Sequence, residues 1–244
     1  MKLWLVYLLP VLIAAAEQAP VQTMFDGKAP AAQRANACYA LRGKADPEIV
    51  VALGRALEDP DLLSCAADNL RIAGAIDPLK QALSSENFQV RAAAARELGS
   101  FQKAELLEPL SHAAQDPNAL VATNALAGLS QYQDPGVQPY LGALAKKGGM
   151  IGDMALDRLW QLDSKAALMV ARGLLSSGQV PDQLYAMRIL GASGDSSDLP
   201  PLKEIAAAHK ENLAQRDRGF GFMPAINLAR AAQSAIGAIQ SRMN

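Results

Sequence analysis

The chain has 244 residues, of which 50% are hydrophobic but only 5% are aromatic, so its core must be built mainly from Ala, Leu, Ile, Val and Met. Alanine and leucine favour helices, whereas β-branched and aromatic residues favour strands, so this composition predicts an all-α protein. The formal net charge is -1. This charge excludes a field of one sign over the whole molecule and argues against nucleic acid or anionic lipid as the partner.

Residues 1–16 are predicted to form a signal peptide. Lys2 supplies a positive start, an apolar run follows over residues 3–13, and three alanines end at Ala16. The run is short for a bilayer span, and no stop-transfer pattern follows it. We therefore predict cleavage near Ala16, a flexible segment over residues 17–30, and a periplasmic or secreted protein without a stable membrane span. An uncleaved N-terminal anchor remains the alternative.

The two cysteines, Cys38 and Cys65, lie 27 residues apart. In an oxidising compartment an even pair predicts a disulfide, while two separate buried thiols remain the alternative. A bond between neighbouring helices requires the two Cα atoms to approach within about 7 Å. With two cysteines and two histidines in the whole chain, we predict no zinc site.

A repeated pair of residues is the main signal in the sequence. A leucine, or finally an isoleucine, recurs at intervals of 29, 28, 31, 30, 31 and 46 residues, and an alanine precedes each by four positions. The seven pairs are Ala37 and Leu41, Ala66 and Leu70, Ala94 and Leu98, Ala125 and Leu129, Ala155 and Leu159, Ala186 and Leu190, and Ala232 and Ile236. Residues at positions i and i+4 lie on one face of a helix. The pattern therefore predicts about seven similar helical units.

Each unit is predicted to contain two helices. In residues 77–101, Asp77 and Pro78 are expected to open the first helix, residues 84–87 to form a turn, and the second helix to end near Gly99. Asp46 and Asp134, each followed by proline, are expected to open other units. A single pair cannot bury both of its faces, so neighbouring pairs must stack, with alanines allowing close approach.

The segment VRAAAARELG at residues 90–99 resembles the second helix of a HEAT repeat. More narrowly, it is similar to the short bacterial HEAT-like repeats of the phycobilisome-lyase type. The resemblance covers residues 31–244 approximately and implies a right-handed α-solenoid of stacked antiparallel helix pairs, as in HEAT and armadillo superhelices. Because Arg91 has an equivalent only at Arg34, the ladder of Arg–Asp contacts common in this family is expected to be incomplete.

The last interval of the repeat is about 16 residues too long, and the additional chain lies near residues 209–224. It contains Arg216, Arg218, Phe220 and Phe222 among glycines. Arginine and aromatic residues are frequent interface anchors, and insertions in repeat proteins often lie on the binding face. We predict that these four residues bind a partner, although the two phenylalanines could instead cap the open end of the solenoid.

No sequence motif points to catalysis. His112 and His209 are the only histidines, neither lies near a nucleophile turn, and phosphate-loop, dinucleotide and metalloprotease patterns are missing from the sequence. We therefore predict a protein without cofactor that is not an enzyme. The expected role is an exported scaffold or adaptor that binds a protein or peptide. A HEAT-like lyase and a structural envelope module without a discrete ligand are the alternatives.

Overall fold

The computed structural model describes residues 19–209 and 227–244. These residues contain helices and no β-strand. The chain divides into two compact units, Met1–Tyr132 and Gln133–Asn244, which we call unit 1 and unit 2. Among the described residues, none of the helices has both the length and the apolar character that a bilayer span requires.

The described part of unit 1 contains seven α-helices after a helical turn over residues 19–24. They are α1 (Ala31–Tyr39), α2 (Pro47–Ala56), α3 (Leu63–Ile72), α4 (Ile76–Ala82), α5 (Phe88–Gly99), α6 (Leu107–Ala113) and α7 (Ala119–Ser130). Short turns join α2 to α3, α4 to α5 and α6 to α7, and the members of each pair pack together. The second helices of successive pairs, α1, α3, α5 and α7, also contact one another in that order.

The residues of unit 2 that the structure describes form three further helix pairs. The pairs are α8 (Gln138–Ala145) with α9 (Gly149–Leu162), α10 (Ser164–Leu174) with α11 (Val180–Ser193), and α12 (Leu199–Ala208) with α13 (Leu228–Met243). The second helices α9, α11 and α13 again pack in sequence. In both units, therefore, the predicted all-α solenoid of stacked helix pairs is confirmed, with α1 as the second helix of an incomplete first pair.

The alanines of the repeat lie at the contacts between second helices. Six of the seven are fully buried, whereas Ala37 in α1 is only half-buried and the adjacent Cys38 is buried instead. In α13, Ile236 is half-buried and Ile239 fills the core. The repeat pattern thus holds in the central helix pairs. At the two ends of the array the buried face is shifted by one to three residues.

Glycines bring two second helices of unit 1 especially close. A Cβ atom added to Gly99 in α5 would lie 2.4 Å from the Cα atom of Gly128 in α7. Backbone atoms cannot move aside as a flexible side chain does, so a larger residue here forces the helices apart. Gly99 therefore sets the spacing of this layer, besides ending α5 as predicted.

The predicted helix starts are confirmed in two of three cases. Asp46 precedes α2 with Pro47 at its first position, and Asp134 accepts a hydrogen bond from the backbone N–H of Gly136. The prediction that Asp77 precedes its helix is wrong, because α4 already begins at Ile76. Ile76 is buried, so packing extends this helix by one residue beyond the aspartate.

Candidate functional site

The four residues predicted to bind a partner, Arg216, Arg218, Phe220 and Phe222, lie outside the described residues. Their binding role therefore stays a prediction. The predicted cysteine pair, in contrast, can be located. Cys38 on α1 and Cys65 on α3 are both buried at disulfide distance, and their Cα atoms are 6.2 Å apart.

A buried asparagine makes polar contacts with both members of this cysteine pair. The side-chain amide of Asn69, one turn after Cys65 on α3, donates to the carbonyl oxygen of Cys38 at 2.7 Å and lies 3.5 Å from the Cys65 sulfur. Asn69 therefore links the same two helices as the cysteines. Both connections lie near the start of the described chain, between the second helices α1 and α3.

The expected Arg–Asp contacts are present at both predicted positions in unit 1. Arg34 on α1 pairs with Asp59 in the next helix pair. Arg91 on α5 pairs with Asp116 through Nε–Oδ2 and Nη2–Oδ1 distances of 2.7 and 3.1 Å. Hydrogen bonds from the Arg91 guanidinium lower the pKa of Asp116, and the backbone N–H of Asn118 adds to this shift. The bonded carboxylates connect successive repeats at the turns between first and second helices.

A third arginine in unit 2 makes an equivalent contact that the sequence did not predict. Arg172 lies on the first helix α10, and its Nε and Nη2 atoms donate to the two oxygens of Asp198 at 2.7 and 3.1 Å. The Asp198 side chain is buried in the turn between α11 and α12. This contact is made at the turn that follows a second helix. Arg172 therefore does not occupy the repeat position that Arg34 and Arg91 share on second helices.

In unit 1, charged groups on the second helices neutralise one another. Asp68 on α3 contacts Arg71 of the same helix and Arg42 at the end of α1. Arg71 also bonds the buried carboxylate of Glu97 on α5 at 2.9 Å, and Arg96 bonds Glu97 at 2.7 Å. Every carboxylate of this group therefore has a cationic partner.

The second helix α9 of unit 2 exposes two methionines on one face. Met150 and Met154, one helical turn apart, have exposed fractions of 58% and 41%. Asp153 and Asp157 have positions on the same face of α9, because residues three, four and seven positions apart share a helix face. Methionine side chains adapt their shape to varied apolar partners. We call the surface formed by this face of α9 and the adjacent face of α11 the α9–α11 surface.

Asp153 is the least well satisfied carboxylate of the α9–α11 surface. Its Oδ1 atom is buried and accepts no hydrogen bond among the described residues. Burial raises the pKa of Asp153 to about 6, and the nearby charges of Asp182 and Asp157 raise it further, whereas Arg188 opposes the shift. A buried acceptor without a donor is costly, so the charged form of this carboxylate destabilises the fold.

The neighbouring carboxylate, Asp157, is held by two side chains of α11. The Tyr185 hydroxyl donates to one oxygen and the Arg188 guanidinium to the other. Burial together with the hydrogen bond to Asp157 raises the pKa of Tyr185 to about 12, so the hydroxyl keeps its proton at neutral pH. These bonds fix the relative position of α9 and α11 and immobilise the charged groups around Asp153.

The third carboxylate, Asp182, is buried near the start of α11 and binds the start of α9. Its Oδ1 atom accepts a hydrogen bond of 2.9 Å from the backbone N–H of Gly149. Gly148 has a φ of +69°, and a Cβ atom added there would lie 2.2 Å from a carboxylate oxygen of Asp182. Glycine at position 148 is thus required both by its backbone conformation and by the close approach of this carboxylate.

Only part of this surface has a recognisable signal in the sequence. Asp157 and Arg188 occupy the same position in successive helix pairs, two residues before Leu159 and Leu190. Opposite charges at this position indicate a contact between the two helices. The buried oxygen of Asp153 had no such signal, because its environment depends on side chains about 30 residues away. The sequence also did not show that Met150 and Met154 would be exposed.

The two histidines and the possible metal ligands among the described residues give weaker evidence for a functional site. His112 is exposed on α6, near a groove of about 600 Å³ that Lys80, Leu83 and Pro117 also line. His209, at the end of α12, is half-buried. Within the described parts of the chain, no group of three or more His, Cys, Asp or Glu side chains is placed to hold a metal ion.

Comparison with known proteins identifies one stretch of the chain. Residues 76–149 match a family model described as HEAT repeats. The predicted resemblance to HEAT repeats is therefore confirmed there, whereas the narrower phycobilisome-lyase resemblance stays a prediction. The comparison with curated proteins finds no match.

Several solved structures are similar to this chain. Human deoxyhypusine hydroxylase in complex with glycerol is 20% identical, with 95% of this chain and 99% of that chain covered and a TM-score of 0.41. An engineered protein is 18% identical, with 94% and 69% covered and a TM-score of 0.45. A computationally designed armadillo repeat protein for modular peptide recognition is 15% identical, with 91% and 98% covered and a TM-score of 0.38.

Proposed function

We propose that this chain is an exported HEAT-repeat protein that acts as a scaffold or adaptor without enzymatic activity, and that it binds a protein or peptide partner on the α9–α11 surface. The observation that carries the proposal is the exposed pair Met150 and Met154, which lie one turn apart on the same face of α9. Exposed apolar side chains grouped on one face are characteristic of a surface that another molecule covers.

The fixed geometry of this surface favours binding. The bonds from Tyr185 and Arg188 to Asp157, together with the bond from Gly149 to Asp182, hold the two helices in register before any partner arrives. A preformed surface loses little conformational entropy on association, so its contacts contribute more fully to affinity. The adaptable methionines then provide apolar contact area.

Export is supported by the predicted signal peptide and by the position of the cysteines. Cys38 and Cys65 are close enough to bond, and stable disulfides form mainly in oxidising compartments. We expect the protein from fractionated cells to begin near residue 17 and to resist thiol alkylation unless it is first reduced. An N-terminus at Met1 together with free thiols in the folded protein would contradict export.

The binding site can be tested by photo-cross-linking in a cell-envelope extract. A benzophenone amino acid would replace Met154 in one variant and Met169 in a control variant, because Met169 is 70% exposed but lies on the first helix α10. We expect one stoichiometric protein to be cross-linked from position 154 and not from position 169. Equal labelling from both positions would contradict the proposed surface.

A second comparison separates this surface from the segment predicted from the sequence. Replacement of Met150 and Met154 by serine should release the cross-linked partner, whereas Phe220→Ala with Phe222→Ala should retain it. The opposite result would assign binding to the segment that contains the phenylalanines. Cross-linking to no protein from position 154 would contradict the proposal.

A further inference from the structure

We infer that the cysteine pair Cys38 and Cys65 is a redox-controlled link, and that its reduction by a dithiol releases α1 from α3 while the later helices stay folded. This inference concerns unit 1 and does not rest on the binding role proposed above. Three observations support it: the small apolar contact of α1, the weak polar contacts that hold α1, and the burial of both cysteines.

The first observation is that α1 buries few apolar side chains. Of its nine residues, all of which the structure describes, only Cys38 is buried. Met24 and Leu41 add one buried side chain on each side of the helix. In α3, by comparison, five of ten residues are buried, and in α5 eight of twelve. Because burial of apolar area is the main force that holds helices together, the non-covalent attachment of α1 is weaker than that of α3 or α5.

The second observation is that the ion pairs between α1 and its neighbours are partly exposed. Arg42, just after α1, lies 3.5 Å from Asp68 on α3, and 59% of its side chain is exposed. Arg34 pairs with Asp59 and is the better shielded of the two arginines. Exposed ion pairs contribute little to stability, so these pairs hold α1 less firmly than a covalent cross-link does.

The asparagine between the two helices favours their separation once the cysteines are reduced. The Nδ2 atom of Asn69 donates to the carbonyl oxygen of Cys38 at 2.7 Å, but its buried Oδ1 atom accepts no hydrogen bond among the described residues. A buried acceptor without a donor destabilises the arrangement that buries it. Movement of α1 away from α3 would let water reach this oxygen, so the docked state of α1 carries a penalty that the separated state lacks.

The third observation is that both cysteines are closed to solvent, with exposed fractions of 0% for Cys38 and 2% for Cys65. Reduction requires a thiolate to reach one of the two sulfur atoms. The bond therefore reacts only when α1 moves transiently away from α3. The folded protein thus keeps the link in an oxidising compartment, and reduction of the link is coupled to the release of α1.

The reductant is a dithiol, and the reaction is an exchange of disulfides. One thiolate of the dithiol attacks a sulfur of the cysteine pair, which forms a mixed disulfide and releases the other cysteine as a thiol. The second thiol of the reductant then attacks the mixed disulfide and releases the remaining cysteine. Two electrons and two protons pass to Cys38 and Cys65, and the dithiol becomes a cyclic disulfide.

The inference can be tested by hydrogen–deuterium exchange of the full chain with mass spectrometry, before and after reduction by excess dithiothreitol. Alkylation of a parallel sample verifies that both cysteines are reduced. In the oxidised protein we expect the amides of α1 to exchange at least about 100-fold more slowly than those of an unstructured peptide. After reduction they should exchange within about tenfold of the unstructured rate, whereas α3, α5 and α13 should remain at least about 100-fold slower.

The matched variant is Cys38→Ala with Cys65→Ala, which removes the link without a reductant. Its α1 amides should exchange as fast as those of the reduced wild type, and dithiothreitol should have no further effect. We expect the far-UV circular dichroism of the variant and of the reduced wild type to lose no more helix than the nine residues of α1 account for.

Three results would overturn the inference. If α1 keeps its slow exchange in the fully reduced wild type, non-covalent contacts are sufficient to hold this helix. If α3 and α5 lose their slow exchange together with α1, the cross-link stabilises unit 1 as a whole and does not control one helix. If α1 in the cysteine-free variant exchanges as slowly as in the oxidised wild type, the covalent bond is not what holds it.

Discussion

The two units use the same helix-pair repeat but distribute charge differently along their second helices. In unit 1, Arg71 bridges Asp68 and Glu97, and Arg91 holds Asp116, so these carboxylates have strong partners. In unit 2, Asp153 keeps a buried oxygen without a hydrogen bond. Each unit keeps one buried side-chain oxygen without a hydrogen bond among the described residues, but in unit 1 it belongs to the neutral amide of Asn69 and in unit 2 to the carboxylate of Asp153.

This difference separates stability from function within one fold. Charged groups that are paired internally stabilise the fold. A buried carboxylate oxygen without a donor lowers stability when the group is charged. The comparison predicts that substitutions in the unit 1 contacts destabilise the protein, while removal of the Asp153 charge stabilises it.

The largest effect is expected from the cysteine pair of unit 1. Loss of a cross-link that closes a loop of 27 residues should lower the free energy of unfolding by about 3 kcal/mol. In a chain carrying Trp4→Phe, Trp160 is the only tryptophan, so its fluorescence reports on unit 2 while far-UV circular dichroism reports on all helices. We expect a reductant to shift the circular dichroism transition more than the fluorescence transition.

The matching control for this measurement is Cys38→Ala with Cys65→Ala. This variant should be destabilised to a similar extent and should no longer respond to the reductant. Unchanged unfolding of the wild type after complete reduction would show that the cysteines contribute nothing as a cross-link.

The next largest effect concerns the close approach of α5 and α7. Gly99→Ala places a methyl group against the backbone of Gly128 and should cost about 2 kcal/mol. Gly173→Ala is the control in unit 2, because Gly173 lies inside α10 with no atom within 4 Å of the added Cβ. It should stabilise the protein by about 0.5–1 kcal/mol. Urea denaturation would measure both, and two changes of the same sign would contradict the packing argument.

An effect of about 2 kcal/mol is also expected at the ion pair of Arg91 with Asp116, since hydrogen bonds to charged groups contribute in this range. The lowered pKa of Asp116 means that its stabilisation is present above the unfolded pKa, near 4, and is lost as the pH falls through the lower folded value. Arg91→Met should therefore destabilise the protein at pH 7 and much less at pH 2. An equal loss at both values would show that the charge of Asp116 is not involved.

A smaller effect, of stabilising sign, is expected from Asp153→Asn in unit 2. Because the folded pKa of Asp153 is raised to about 6, its carboxylate opposes folding increasingly as the pH rises from about 4 to 6. The variant should gain about 1 kcal/mol at pH 7.5, after allowance for partial exposure, and nothing at pH 4. Thermal unfolding at the two pH values would measure this, and destabilisation at pH 7.5 would contradict an unsatisfied carboxylate.

The sequence predicted more of the fold than of the candidate surface. One spacing pattern predicted the helix pairs, their number and the buried alanines. This was possible because the faces of a helix repeat locally and independently of distant contacts. The Arg–Asp contacts of Arg34 and Arg91 were expected from the repeat resemblance. The contact between Arg172 and Asp198 was not expected, since it joins a first helix to a turn outside the usual slot.

By itself, the sequence determined that this protein is a series of stacked helix pairs, because small and large apolar residues alternate at a spacing that only helices can bury. Tertiary structure alone decided that Asp153 lacks a donor while Asp157 has two, and that Met150 and Met154 face outward. These properties depend on which side chains of α11 reach α9. These contacts form between helices about 30 residues apart in sequence, and the spacing pattern within one helix does not specify them.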